Sequence, residues 1–109
     1  MKQYKVRITD KALADMEEIY NYIATQLQAP ENAMAQYNWI AKAIEELSMF
    51  PEKARMESEP ERAMGLRQLV IDKYSAFYVI KDMKVIVIRV LYSAMDISKR
   101  LLEDSRHIQ

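Results

Sequence analysis

Cysteine is absent from the 109 residues, and histidine occurs once, at position 107. Without cysteine there is no disulfide framework, no thiolate nucleophile and no thiolate metal site. A single histidine excludes a histidine-dependent triad and a multi-histidine metal centre. Glycine also occurs once and proline three times, so collagen-like and low-complexity compositions are excluded. Neither sign of charge is in excess: 16 basic residues balance 16 acidic ones. A neutral chain lacks the long-range pull that holds general nucleic-acid binders to their ligand. No apolar run reaches membrane-spanning length, and the N-terminus, MKQYKVRITDKALADM, has no apolar signal-peptide core. The expectation is one soluble, cytoplasmic domain over residues 1–109, with no metal, no cofactor and no membrane contact.

What the chain does have is periodicity. Tyr4-Lys5-Val6-Arg7-Ile8-Thr9 alternates apolar and polar, the pattern of a half-buried strand. Thr9 or Asp10 then offers a side-chain oxygen to the free amides of a helix. Leu13, Met16, Ile19, Tyr20, Ile23 and Leu27 recur at threes and fours and predict one apolar helical stripe. Asp15, Glu17 and Glu18 fall off that stripe, on a solvated face. Ala29-Pro30 interrupts the pattern, since a residue before proline is pushed out of the helical region. A second helix is expected from about Pro30, with Ala33, Tyr37, Ile40, Ile44 and Leu47 as its stripe and Met34 and Trp39 beside it. It ends before Pro51.

Residues 51–65 are charged and aperiodic and close on Gly65, which suits a turn of positive φ. Three strands follow, at about 66–71, 74–81 and 85–92, joined by tight turns at Asp72-Lys73 and at Lys81-Asp82-Met83-Lys84. The last strand is almost wholly β-branched and predicts a central position with both faces covered. Residues 93–105 leave room for a short final helix near Asp96, contacting through Ile97, Leu101 and Leu102. The order is β-α-α-β-β-β, an α+β domain with an N-terminal strand and a helical hairpin packed on an antiparallel meander. Residues 65–92 carry five cations against two anions, whereas residues 28–64 carry four against seven.

Three stretches bear a family resemblance. YKVRITDKALADMEEIYNYI has the strand-into-helix opening, EELSMFPEKA the second-helix ending, and GLRQLVIDKYSAFYVIKDMKVIVIRVLYSAMDISKRL the meander of the RelE/ParE superfamily. This superfamily supplies the toxins of type II toxin–antitoxin (plasmid stabilisation) pairs, and the match spans nearly the whole chain. It implies a cognate antitoxin as partner, with any DNA contact made through the antitoxin. It also implies one of two activities that fold alone does not separate. RelE-like members are ribosome-dependent mRNA endoribonucleases that use lysine and arginine on the meander strands to stabilise the charged phosphate intermediate. ParE-like members bind DNA gyrase and lack that basic set.

Position by position the chain resembles the second group. The ribonucleases place an arginine after the first tyrosine of the central strand, where this chain has Ser75. Their lysines on the preceding strand fall near Leu66 and Gln68, leaving Arg67 as the cation there. Tyr92-Ser93-Ala94-Met95-Asp96 stands where they carry further chemistry. The expectation is therefore a toxin that grips a target protein such as gyrase and is more binder than enzyme. The ribosome and mRNA are the alternative partners, and a toxin-fold protein that only binds its antitoxin is the third reading. The target-binding candidates are Arg67, Lys73, Tyr74, Arg89, Tyr92, Lys99 and Arg100. Under the ribonuclease alternative the catalytic candidates are Arg67, Arg89, Tyr92 and His107. The ordinary structural roles stand beside these: for Arg89 an ion pair with a carboxylate of the helices or the C-terminal segment, and for Tyr74, Tyr78 and Tyr92 cross-strand packing.

Overall fold

A computed structural model describes residues 3–53 and 65–92. The chain opens with strand β1 (Lys5–Ile8), followed by helix α1 (Asp10–Asn21), a π-helical segment (Tyr22–Gln26) and helix α2 (Pro30–Glu45). Two 3-10 turns, Glu46–Ser48 and Pro51–Lys53, lead away from α2. Strands β2 (Arg67–Ile71), β3 (Tyr74–Lys81) and β4 (Lys84–Tyr92) complete the described chain. The expected final helix, with Lys99, Arg100 and His107, lies outside the described residues, as does most of the charged stretch after Pro51.

The meander is antiparallel, as its tight turns require, and the sheet order is β1-β4-β3-β2. β1, whose pairing the sequence left open, joins β4 in parallel, so the whole sheet is mixed. The physical reason is the helical hairpin between them, which carries the chain back to the starting end of the sheet, the crossover that parallel pairing needs. The result is a mixed α+β sheet with β4 at its centre. Asp82 and Met83, both at positive φ, make the β3–β4 turn, and Gly65 at φ +77° opens the entry to β2.

Thr9 starts α1. Its backbone is extended, and its Oγ1 accepts from the Ala12 amide while donating to the Val87 carbonyl, so one side chain caps the helix and ties it to β4. The predicted stripe of α1 holds at Met16 and Ile23 but not at its ends. Leu27 is 57% exposed. The chain widens into a π-turn, with the Leu27 amide bonded to the Tyr22 carbonyl, and the extra residue rotates Leu27 away from the core. In α2 the stripe holds throughout: Ala33, Ile40, Ile44 and Leu47 are buried, and Tyr37 packs against the same core.

The main core lies between the hairpin and one sheet face, joining Met16, Ile40, Ile44 and Leu47 to Ala76, Tyr78, Val85, Val87 and Val90. The far face holds a second cluster of Leu66, Phe77, Ile88 and Leu91. With both faces apolar, β4 is covered on each side, as its β-branched run predicts. Register slips once along β4: Phe77 faces Arg89 and Tyr78 faces Val87, leaving Ile88 as the extra residue of a bulge.

Candidate functional site

The bulge and the shortness of β1 fix the surroundings of Arg89. β1 pairs with β4 only as far as Val87, so α1 comes to lie against the open side of β4 beyond that point. Asp15, from the middle of α1, meets three donors there. Its carboxylate accepts from Arg89 Nε at 2.7 Å, from Arg89 Nη2 at 2.9 Å and from the Val90 amide at 3.0 Å. The two side chains are 8% and 5% exposed. This corrects the reading of Asp15 as a solvated residue. Helical periodicity places it off the apolar stripe correctly, but that flank faces the edge of β4 rather than water. The ion pair expected of Arg89 with a helix carboxylate is present. Two-pronged guanidinium–carboxylate geometry is what makes burial of both charges tolerable.

Above this pair opens a cavity of about 430 Å³. Lys73, Tyr74, Arg89 and Tyr92, four of the sequence-derived target-binding residues, line it together. Across from them stand Ile19, Tyr22 and Leu27, from the end of α1 and the π-turn. Tyr22, Leu27 and Tyr92 are each about half exposed, and Tyr74 and Tyr92 face each other in cross-strand register with ring centroids 5.7 Å apart. Burial, and then the neighbouring Tyr92, Asp72 and Tyr22, push the Tyr74 phenol above its ordinary value. At neutral pH it is a protonated hydrogen-bond donor in an aromatic wall. The sequence reading missed Tyr22, Leu27 and Glu18 on the opposite wall. No simple helical period marks Tyr22 and Leu27 there, because the π-turn inserts an extra residue.

Arg67 is elsewhere. It sits on the edge strand β2, opposite Tyr78, with β3 between it and Arg89, and its Nη1 donates to the Glu52 carbonyl at 3.2 Å. Tyr78 is fully buried and donates to the Pro51 carbonyl, so it packs and anchors the turn after α2.

Strand alternation brings Leu66, Gln68 and Ser75 to the far face of the sheet beside Phe77. These are the positions where the ribonuclease branch is expected to carry its cations. Here Leu66 is buried, Ser75 is fully buried, and Gln68 Nε2 donates to Ser75 Oγ at 2.9 Å. The trio is a packed, neutral contact. Among the described residues no group of three or more histidine, aspartate or glutamate side chains converges as a metal site would require. No described helix is long and apolar enough to cross a membrane.

The family model for the ParE toxin of type II toxin–antitoxin systems matches residues 6–97. No curated protein sequence matches the chain. Among solved structures, the chain is similar to a chain of the chromosomal ParDE toxin–antitoxin system from P. aeruginosa, with a TM-score of 0.72 at 23% identity, covering 84% of this chain and 98% of that one. It is similar to a free-state mutant of the E. coli toxin RelE, with a TM-score of 0.65 at 16% identity, covering 98% and 99%. A chain of the RelBE2 toxin–antitoxin complex from Mycobacterium tuberculosis aligns with a TM-score of 0.57 at 24% identity, covering 83% and 98%. At these identities the structural likenesses speak for the fold, and the family match for the class of protein.

Proposed function

Since this chain belongs to the ParE toxin family of type II toxin–antitoxin systems, we propose that it arrests growth by gripping a target protein, with DNA gyrase the leading candidate, and that a cognate antitoxin holds it inactive. In a plasmid such a pair acts as a stabilisation module. The observation that carries the target reading is the β2–β3 part of the sheet's far face, where the ribonuclease branch is expected to carry its cations. Cleaving RNA needs positive charge aimed at the developing phosphorane, usually the largest catalytic contribution. Leu66, Gln68 and Ser75 offer none, and Arg89 is spent on Asp15.

The cleft supports binding instead. Tyrosines with exposed faces, an apolar floor and Lys73 at the rim are the composition of a protein-recognition surface, in which aromatic anchors supply contact area at low entropic cost. In this reading Lys73, Tyr74 and Tyr92 touch the target, and Arg89 holds the floor in place. Lys99 and Arg100 are further candidates outside the described residues. The test is induction of the chain without its partner gene, followed by a supercoiling assay with purified gyrase. Growth arrest together with loss of supercoiling supports the reading. Arrest with unchanged supercoiling removes gyrase as the target. New cleavage sites in translated mRNA, read by primer extension, would establish the ribonuclease alternative, and unaffected growth would leave a protein that only binds its partner.

A further inference from the structure

The tyrosines of the cleft stand together. Tyr74 and Tyr92 are tilted against each other, and Tyr22, from the opposite wall, comes close enough to help hold the Tyr74 proton on. Tyr22 and Tyr92 are 55% and 46% exposed, so aromatic faces are open to an occupant. The face of an aromatic ring is electronegative and attracts a cation. The π-turn that carries Tyr22 is itself a feature that recurs at functional sites.

The charges around the rings decide which occupant is favoured. On the floor, Asp15 and Arg89 neutralise each other through their paired hydrogen bonds. At the rim, Lys73 directly follows Asp72 in the β2–β3 turn, so those two charges offset. Lys11, one turn before Asp15 on α1, stands outside the lining. What remains is Glu18 on the α1 wall, an exposed carboxylate. Asp72 adds a second observation. It sits at φ 55°, in the left-handed region where glycine is the easier choice. The turn thus keeps a carboxylate beside Tyr74 at a conformational cost.

We propose that the cleft receives an arginine side chain of the target protein, its guanidinium stacked among Tyr22, Tyr74 and Tyr92 and bonded to Glu18. Lys73, at the rim, then meets a carboxylate of the same partner. Arginine is favoured over lysine because its planar guanidinium stacks on rings and is less strongly hydrated. An acidic anchor would meet Glu18 and Asp72 with only Lys73 to oppose them. An apolar anchor would cover the Glu18 carboxylate and the tyrosine hydroxyls without bonding them, which offsets what apolar contact gains. A cavity of about 430 Å³ is of the size that ligand clefts usually have. The inference rests on the reading of the cleft as the target contact and adds the chemistry of what it holds.

The test uses the full chain and three capped amino acids: arginine, its uncharged isostere citrulline, and glutamate. Each is titrated while the tyrosine ring signals are followed by NMR. Saturable shifts of Tyr22, Tyr74 and Tyr92 are expected with arginine, with affinity about fivefold weaker for citrulline and no saturation with glutamate. Tyr22→Leu keeps the apolar bulk and Glu18→Gln keeps the shape, and each should weaken arginine binding about threefold, with folding checked by melting. Lys73→Ala should tighten it, since a repulsion is lifted. Equal affinity for citrulline, tighter binding of glutamate, or no effect of the Tyr22 and Glu18 variants overturns the proposal. Induction of the same variants in cells separates it from the reading beneath it. Growth arrest that needs Tyr22 and Lys73, without arginine binding, overturns the proposal alone and leaves the cleft as the target contact. Arginine binding lost in Glu18→Gln with arrest intact overturns both.

Discussion

Strand β4 runs past two regions that use the same kinds of residue in opposite ways. At the junction with α1, Asp15 and Arg89 are buried, mutually bonded and closed by the Val90 amide. A few ångströms outward, the cleft presents Tyr22, Tyr74, Tyr92 and Lys73 with half or more of several side chains in water. The junction saturates its polar groups inside the protein, so its energy goes into stability. The cleft leaves hydroxyls and an ammonium available, so its energy is free for a partner. Substitution should therefore separate the two cleanly, stability falling at the junction and function at the cleft.

The largest effect is expected from Asp15→Ala. It strands a guanidinium in a buried site and leaves the Val90 amide without its acceptor, a loss of about 3–5 kcal/mol. Urea unfolding at neutral pH measures it. The pair Asp15→Leu with Arg89→Met should be far less damaging than Asp15→Ala alone, since no unpaired charge remains. If the double variant is as unstable as the single, the junction contributes something other than charge pairing, and the contrast with the cleft fails.

Two smaller losses mark how the helices are tied to the sheet. Tyr78→Phe keeps the ring in the core and deletes its buried bond to the Pro51 carbonyl. The expected cost is about 1–2 kcal/mol, a net hydrogen bond plus an acceptor left unsatisfied. Thr9→Ala removes both the cap of α1 and its tie to Val87, about 1 kcal/mol by the usual value of a cap. Thermal melting should rank the two in that order.

How much of this was legible in the residues can be said from particular cases. The α2 stripe, Gly65, the meander and the centrality of β4 all follow from periods and turn chemistry, which are local. The parallel entry of β1 did not follow, because strand pairing depends on where the hairpin delivers the chain. Asp15 was missed for the same reason. The acidic residues beside it, Glu17 and Glu18, are exposed, and only the open edge of β4 makes Asp15 a buried partner. The cleft was half legible, since the β-side residues interrupt an apolar run and attract attention. Its α-side half arises from a π-turn, which shifts Tyr22 and Leu27 by an extra residue that no simple period announces. The far face is a separate lesson: Leu66, Gln68 and Ser75 gained meaning when the register showed them on one surface.

At the cleft, Tyr22→Ala and Lys73→Ala should shift stability by no more than about 0.5 kcal/mol, as exposed positions generally do, while relieving growth arrest on induction. Loss of arrest with loss of folding would move the cleft into the same class as the junction.

The smallest expected effect concerns pH. Burial raises the Tyr74 phenol above its ordinary value, with Tyr92, Asp72 and Tyr22 adding to the shift. A group whose folded value is raised gives stability that is complete below the unfolded value, about 10 for tyrosine, and is lost as pH rises through the folded one. At neutral pH the folded protein therefore feels nothing from this ionisation. Above about pH 10 it should lose stability in a step that Tyr74→Phe removes, because a phenylalanine has no proton to release. Melting from pH 8 to 11, with tyrosinate absorbance followed in parallel, measures both. Since Tyr74 is only partly buried, the step should be shallow beside the Asp15 loss. A steep loss at neutral pH in the Tyr74→Phe variant would mean that its hydroxyl is committed to the fold, like Tyr78, and that the cleft keeps less in reserve for a partner than its exposure suggests.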